Sequence, residues 1–449
     1  MGALAVYAFI GISCLLGIFR PFYGLCGYLF LVFLQPEWIW RFDGLVGLQY
    51  QKPLVICILI GTALSLSNGN GIFGNRSLVL SSIVILLTSW ISLTMSSYTW
   101  ATTLYFDILW KSILIMIASF HLVDSPKKAI AIGIAITAGT FYNALRLNLD
   151  YLEVGWCRWI RDSWGYKGDS NVICLFVMPA IAFSAVLLFT MRSRLLQLAS
   201  VASLMVHVHM VFILESRGAM LGLGLLFFIA FLMIPKSPAM IGSVVIVGLG
   251  VAWIAGPPVI REFSSIFVDA EERDASAESR FMLWKAAFRI GMDNPIFGVG
   301  PYSGQFLIPQ YEPAFAGQAA KHPHNIFMEI FSGIGAFGLT AYVALILSPV
   351  LMAFRLRRQY DVRSDPMLQT LTIWPSAGIP AMALTGMFCG SGMMESMYYF
   401  VGISLGSLVA YKKYLDESES LEIPLEIEEF VDLAHEDWRQ EEIRGFSSV

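Results

Sequence analysis

The stretch KHPHNIFMEIFSGIGAFGLTAYVALILSPVLMA, residues 321–353, joins a short polar segment to a long apolar one. From residue 325 onward it contains a single charged side chain, that of Glu329. A helix needs roughly 20 mostly apolar residues to cross the hydrocarbon core of a bilayer. Inside a bilayer the backbone must satisfy its own hydrogen bonds, which a helix does. The stretch therefore predicts a membrane-spanning helix that begins beside two histidines.

Similar apolar runs fill most of the chain. Of its 449 residues, 57% are hydrophobic and 14% are charged, whereas a soluble domain carries about 25% charged residues. The predicted fold class is an all-α integral membrane protein, a polytopic bundle of about 12–13 transmembrane helices with one large extracytoplasmic loop. The runs lie at residues 2–19, 22–36, 53–67, 77–95, 107–123, 128–145, 172–191, 196–214, 218–234, 239–256, 325–353, 369–389 and 393–411.

Basic residues in short loops predict the orientation of the bundle. The loops MRSR (191–194), PKSP (235–238) and FRLRRQYDVR (354–363) alternate with less basic connections. Because lysine and arginine favour the cytoplasmic side, these loops are expected in the cytoplasm and residues 257–324 outside. Thirteen crossings then put the N-terminus outside. Twelve put it inside, if the first two short runs do not both cross.

This topology divides the chain into four predicted segments. Transmembrane helices occupy residues 1–256 and 325–411, and the large periplasmic loop occupies residues 257–324. The glutamate-rich tail 412–449 is expected to be cytoplasmic and solvated, because it offers few apolar residues to a core. The first apolar run lacks a basic start and a small-residue cleavage site, so it predicts a retained helix rather than a signal peptide.

The loop is expected to contain a helix that starts at Ser276 as its N-cap and stops before Gly291. Phe281, Trp284 and Phe288 then form one apolar stripe, which suits a helix lying on the membrane or capping the bundle.

The sequence contains none of the residue patterns that are typical of metal or cofactor sites. The six cysteines form no CxxC pair, so neither a metal site nor a disulfide framework is predicted. No pair of carboxylates resembling a DxD motif lies in an outer loop, and the lone GVG at 298–300 is too weak to indicate a nucleotide fold. No metal, cofactor or nucleic-acid partner is therefore expected, and the predicted surroundings are membrane lipids.

An ionisable group inside a membrane bundle is costly, so each is a candidate functional residue. In ESRGAMLG (215–222), Glu215 and Arg217 occupy a tight outer turn. The alternative there is an arginine that reaches to the interface beside its neighbouring glutamate. In the loop helix, Arg280 borders the aromatic stripe and is expected to point inward. Lys285 and Arg289 are expected to form a solvated basic face.

The opening stretch supplies the third candidate cluster. Pro323 suits the first position of a helix, which would put His324 in the first turn. The positive end of a helix disfavours a protonated imidazole, and a neutral histidine can accept a proton from a hydroxyl. Asn325 and Glu329 lie four residues apart on one face. Either His322 or His324 is alternatively an ordinary packed or solvated side chain.

Three further ionisable residues, Asp107, Lys111 and Glu395, fall near the predicted outer ends of their spans. They are secondary candidates for substrate contacts, although for Lys111 a side chain extending toward the interface is the preferred interpretation. Two arginines can bind a diphosphate bidentately without a metal. The residues together favour departure of a lipid-linked diphosphate, with a histidine that activates an incoming hydroxyl.

These segments resemble the O-antigen ligase and polymerase superfamily of bacterial membrane glycosyltransferases, and most closely the O-glycosylation ligases associated with exosortases. The matching segments, in the family's order, are RPFYG (20–24), GDSNVICLFVMPA (168–180), ESRGAMLG (215–222), SAESRFMLWKAAF…DNPIFGVG (276–300) and HNIFMEIFSGIGAFGL (324–339). The resemblance covers roughly residues 1–410, and the last three of these segments are the most specific to the family. At FSGIGAFG (331–338) relatives often carry a Glu-His-Gly type sequence, which leaves the subgroup and its acceptor open.

The resemblance implies a metal-independent, inverting transfer at the periplasmic face of the bacterial inner membrane. A glycan on undecaprenyl diphosphate would pass to a hydroxyl of a lipid A core, a protein or another glycan. Arg217 and Arg280 match the family's diphosphate-binding arginines, and His324 matches its general base. His322 does not match the family's key histidine.

Two other functions remain open at this point. A polymerase of the same superfamily would use the same residues but extend lipid-linked repeat units. A flippase or transporter of lipid-linked sugars would place ionisable groups near the membrane midplane and often show inverted repeats. No internal repeat is evident, and the candidate residues gather at one predicted face, so transport is the less favoured function.

Overall fold

The computed structural model describes residues 2–40, 45, 49–67, 69–155, 157, 170–249 except 239, 243 and 247, 275–389 and 395–420. Part of the predicted span 239–256, most of the acidic tail and the first part of the predicted loop lie outside the described residues. Within them the chain forms α-helices and one short 3-10 helix, with no strand. The prediction of an all-α fold is therefore confirmed.

The helices follow the predicted apolar runs in order. The first seven are α1 (Gly2–Phe19), α2 (Pro21–Leu34), α3 (Pro36–Ile39), α4 (Gln51–Leu64), α5 (Arg76–Met95), α6 (Thr99–Leu122) and α7 (Pro126–Val154). The next three are α8 (Ser170–Thr190), α9 (Arg194–Ile213) and α10 (Arg217–Met233). The last five are α11 (Ala275–Asp293), α12 (Gly304–Tyr311), α13 (Ile326–Gln359), α14 (Pro366–Gly386) and α15 (Glu395–Ser420), with the 3-10 helix at Pro313–Phe315.

Six of these helices, α5 to α9 and α13, are long and apolar enough to cross a membrane. Helices α1, α2, α4 and α10 are apolar but shorter. A 14-residue helix such as α2 is about 21 Å long, less than the roughly 30 Å of a hydrocarbon core. The chain is a multi-pass membrane protein, and the total of 12–13 crossings stays a prediction.

Helix α14 is the element around which the site is built. It packs against α8, α10 and α13, and most of its residues are buried. Helix α8 is buried almost throughout, and Trp374 of α14 donates its indole N–H to the carbonyl oxygen of Pro179 in α8 at 3.2 Å. This bond between two buried helices helps to fix α14 at the centre of the bundle.

Helix α13 is interrupted at Gly335, where φ is 72° and ψ is −172°. The turn NPIFGVG (294–300) docks into this break. The amide of Val299 donates to the carbonyl of Ser332 at 2.9 Å, and Gly300 donates to Gly333 at 2.9 Å. In return, the amide of Ala336 donates to the carbonyl of Pro295 at 2.7 Å. The break thus exposes backbone groups that this turn satisfies.

A hydroxyl cluster fixes the next part of the loop to the junction of α5 and α6. The hydroxyl of Ser303 lies 3.1 Å from that of Ser96 and 2.6 Å from that of Thr102. All three side chains are buried. Next to them, the ring of Phe306 stacks on Tyr98 with 4.7 Å between ring centres. The loop is therefore held on both sides before it reaches the histidines.

Candidate active site

The start of α13 is set by Asn325 rather than by Pro323. The Asn325 side chain is 2% exposed, and its Oδ1 accepts hydrogen bonds from the amides of Phe327 and Met328 at 3.0 and 3.2 Å. Asparagine is among the strongest N-caps because it satisfies such amides. The prediction that His324 lies in the first helical turn is therefore wrong: it precedes the cap, in a left-handed conformation with φ 47°.

The ESRG turn is also built around a cap. Ser216 is the N-cap of α10 and accepts the amide of Ala219 at 3.2 Å, while its hydroxyl donates to Oδ1 of Asn171 at 2.7 Å. Glu215 is exposed and takes a left-handed conformation with φ 51°. Arg217 is the first residue of α10 and is half-buried. The serine therefore fixes where the arginine leaves the backbone.

The side chain of Phe388, just past the end of α14, connects the two arginine-bearing segments. Residue 218 is a glycine, and a Cβ added to it would lie 2.5 Å from the Phe388 side chain. The turn that carries Arg217 therefore lies directly against Phe388. The guanidinium carbon of Arg280 lies 6.0 Å from the centre of the Phe388 ring, within the range of a cation–π contact. The centre of the Trp284 ring also lies 6.0 Å from the centre of the Phe388 ring.

The histidine segment reaches the same end of α14. A Cβ on Gly386 would lie 2.6 Å from the side chain of Ile326, the first residue of α13. His324 is two residues before Ile326, and Gly386 is two residues before Phe388. Three segments that are far apart in sequence therefore meet at the end of α14. They carry Arg217, Arg280 and His324.

His322 is held by a tyrosine that the sequence did not indicate. The hydroxyl of Tyr302 is hydrogen-bonded to Nε2 of His322, and the Tyr302 ring stacks on Tyr105 of α6 with 3.5 Å between ring centres. The rings of His322 and His324 are 5.8 Å apart. Both histidines thus belong to one cluster, in which Tyr302 orients the first of them.

Glu329 extends this cluster into the bundle. It is only 3% exposed, and its carboxylate interacts electrostatically with the phenols of Tyr105, Tyr342 and Tyr398. A buried carboxylate is costly unless polar groups surround it. Through Tyr105, which stacks on Tyr302, Glu329 lies on the interior side of the histidine cluster.

Two secondary candidates, Lys111 and Glu395, interact with other side chains. Lys111 forms an ion pair with Asp107 one turn earlier in α6, and both side chains are partly exposed, so the pair contributes about 0–1 kcal/mol to stability. Glu395 is 7% exposed, and its charge acts on Glu37 and Tyr50. Burial raises the pKa of Glu37 to about 7, and Glu395 adds to the shift.

The loop helix α11 differs in two ways from its prediction. It includes Ser276 and continues past Gly291 to Asp293, so these residues do not mark its ends. Phe281 and Phe288 are largely exposed, and the helix packs through a different face. The buried residues of that face are Leu283, Ala286, Ala287 and Ile290, and α11 rests on α13. Arg280 is half-buried, while Lys285 and Arg289 are exposed, as predicted.

The described residues contain no group of three or more histidine, cysteine, aspartate or glutamate side chains that could hold a metal ion. Arg217 and Arg280 bring two positive charges to the end of α14, and such a pair suits an anion.

Residues 202–343 match the O-antigen ligase family. Over these residues the chain is similar to O-antigen ligases. The matched segment runs from α9 into α13 and includes Arg217, Arg280 and His324, so the family match covers all three predicted site residues. No curated protein matches the chain. The predicted superfamily of O-antigen ligases and polymerases is confirmed.

Proposed function

We propose that this O-antigen ligase-type protein moves a glycan from undecaprenyl diphosphate to an acceptor hydroxyl at the periplasmic face of the bacterial inner membrane. The acceptor would be a lipid A core, a protein or another glycan. The observation that carries the proposal is the meeting of the Arg217, Arg280 and His324 segments at the end of α14. Two cations and a histidine suit a reaction that releases a diphosphate.

Arg217 and Arg280 would bind the diphosphate of the donor. Both are half-buried, and a guanidinium beside a low-dielectric surface binds a phosphate oxygen more strongly than one in water. The Phe388 ring supports Arg280 from one side, and Ser216 fixes the backbone next to Arg217. Two fixed cations would stabilise the negative charge that develops as the diphosphate leaves.

His324 would act as the general base. Its imidazole would take the proton of the acceptor hydroxyl while the hydroxyl oxygen forms a bond to the anomeric carbon of the donor sugar. The bond from that carbon to the diphosphate oxygen breaks in the same step, and undecaprenyl diphosphate leaves with the electron pair. Attack opposite the leaving group inverts the anomeric configuration. His322, oriented by Tyr302, would help to position His324.

The direct experiment is transfer by the purified protein with a lipid-linked donor and a panel of acceptors, in the presence of a metal chelator. Glycan on a lipid core or on a protein is the expected product. Longer lipid-linked chains would instead assign the polymerase activity of the same superfamily. Movement of the donor across a vesicle membrane without any covalent product would support the transporter. A requirement for a divalent metal would contradict the two-arginine mechanism.

A further inference from the structure

Helix α11 has an exposed face that combines aromatic and basic side chains. Phe281 is 60% exposed, Phe288 is 48% exposed and Met292 is 55% exposed. Their spacing, with Lys285 between them, places them along one side of the helix. The basic residues Lys285 and Arg289 are exposed on the same side. The opposite side packs on α13, so this face is a second apolar surface that the described residues do not cover.

The exposed face continues into the outward-facing surface of a membrane helix. Ile296, which follows α11, is 51% exposed and lies at the break in α13, where Ala336 donates to the carbonyl of Pro295 at 2.7 Å. The next residue of α13, Phe337, is 60% exposed. Beyond it, α13 exposes further large apolar side chains, namely Leu347, Leu351 and Phe354. In a membrane-spanning helix such a surface faces lipid.

The length of α13 locates this junction relative to the bilayer. The basic residues Arg355, Arg357 and Arg358 mark one end of its apolar run. Counting roughly 20 residues back from Arg355, the length that spans a hydrocarbon core, reaches Gly335. Phe337 and Ile296 therefore lie near the boundary of the core, and α11 lies at the level of the lipid headgroups.

We propose that the α11 face formed by Phe281, Lys285, Phe288, Arg289 and Met292 binds anionic phospholipid at the membrane surface. The aromatic and methionine side chains enter the outer part of the acyl region, and the two cations contact headgroup phosphates. Amphipathic helices that lie in a membrane interface combine these residue types on one side. Binding of this face to lipid would hold α11, and with it Arg280, in a fixed position over α13. The proposal does not depend on the transfer reaction.

The test uses the full chain in lipid nanodiscs with photoactivatable lipids. Two probes carry a diazirine in the acyl chain, one on phosphatidylglycerol and one on phosphatidylcholine, and crosslinked peptides are mapped by mass spectrometry. Residues 281–292 are expected to be labelled, and more by the anionic probe. Replacing Lys285→Gln and Arg289→Gln should lower that preference by roughly 5-fold for each charge. Replacing Phe281→Ser and Phe288→Ser should lower labelling by both probes.

Labelling of residues 337–354 in the same molecules controls for folding of each variant. Phe73→Ser is the matched control for the aromatic changes, because Phe73 is 78% exposed and lies between α4 and α5. It should leave labelling of α11 unchanged. Labelling of residues 337–354 without residues 281–292 would overturn the proposal and place this face outside the lipid. Equal labelling by both probes in the wild type would overturn its preference for anionic lipid.

Discussion

Replacement of Gly335 by alanine tests whether the break in α13 holds the loop that leads to the candidate active site. A side chain at this position must tolerate φ 72° and ψ −172°, a conformation that costs a non-glycine residue about 1–3 kcal/mol. A Cβ there would also overlap the carbonyl oxygen of Ile296. Relief of that overlap separates the loop from α13 and removes the bond from Ala336 to Pro295, which adds about 1–3 kcal/mol for an unpaired amide.

The expected effect of Gly335→Ala is therefore a loss of roughly 2–6 kcal/mol of stability at the loop. Thermal unfolding in detergent and hydrogen exchange of residues 294–311 would measure it, and glycan transfer should fall with it. The matched control is Gly224→Ala in α10, where a Cβ would meet nothing within 4 Å. Alanine should be neutral or slightly stabilising there. Equal unfolding temperatures, exchange and transfer for the two variants would refute the role of the break.

Substitutions at three further positions test the individual contacts. Tyr302→Phe keeps the stacked ring but removes the hydroxyl bound to His322, so the transfer rate should fall roughly 2- to 10-fold with donor affinity unchanged. Asn325→Ala should cost about 0.5–2 kcal/mol of stability through the lost cap, and Asn325→Asp should retain most of it. Phe388→Leu removes the ring face next to Arg280, so the KM for the donor should rise roughly 2- to 30-fold with little change in kcat.

Controls for these variants are conservative changes far from the end of α14. Tyr7→Phe in α1 and Phe354→Leu on the exposed face of α13 should leave transfer and donor KM unchanged. If Tyr302→Phe changes the donor KM and leaves kcat unchanged, Tyr302 shapes the donor site rather than the histidine cluster. If Phe388→Leu affects kcat alone, Arg280 does not depend on the ring for binding.

The order of helices could be predicted because apolar length alone decides whether a segment spans a bilayer. Ends of helices were less predictable. At the start of α13 the sequence allows two boundaries. Proline is common as the first residue of a helix, which favours Pro323, and asparagine is common as an N-cap, which favours Asn325. Asn325 sets the boundary because its side chain accepts two helix amides. Apolar runs also miss polar ends, so α6 begins at Thr99 rather than near residue 107.

The site was only partly predictable. Arg217 and Arg280 stood out because charges are rare in this chain, but the ring of Phe388 between their segments did not, since a phenylalanine in an apolar sequence carries no signal. Tyr302 could not be paired with His322 from the sequence, because the pairing depends on the path of the loop. That path follows from the break at Gly335, and glycine is common in unbroken membrane helices.

The most direct test of the central claim measures donor binding and glycan transfer separately for Arg217→Ala, Arg280→Ala and His324→Ala. Arg363→Ala, a change at an exposed arginine between α13 and α14, serves as the control. The arginine variants should bind the lipid-linked donor roughly 10- to 100-fold more weakly. The His324→Ala variant should bind it normally but transfer its glycan roughly 100- to 10,000-fold more slowly. Wild-type transfer by His324→Ala, with the protein folded in the membrane, would contradict the account.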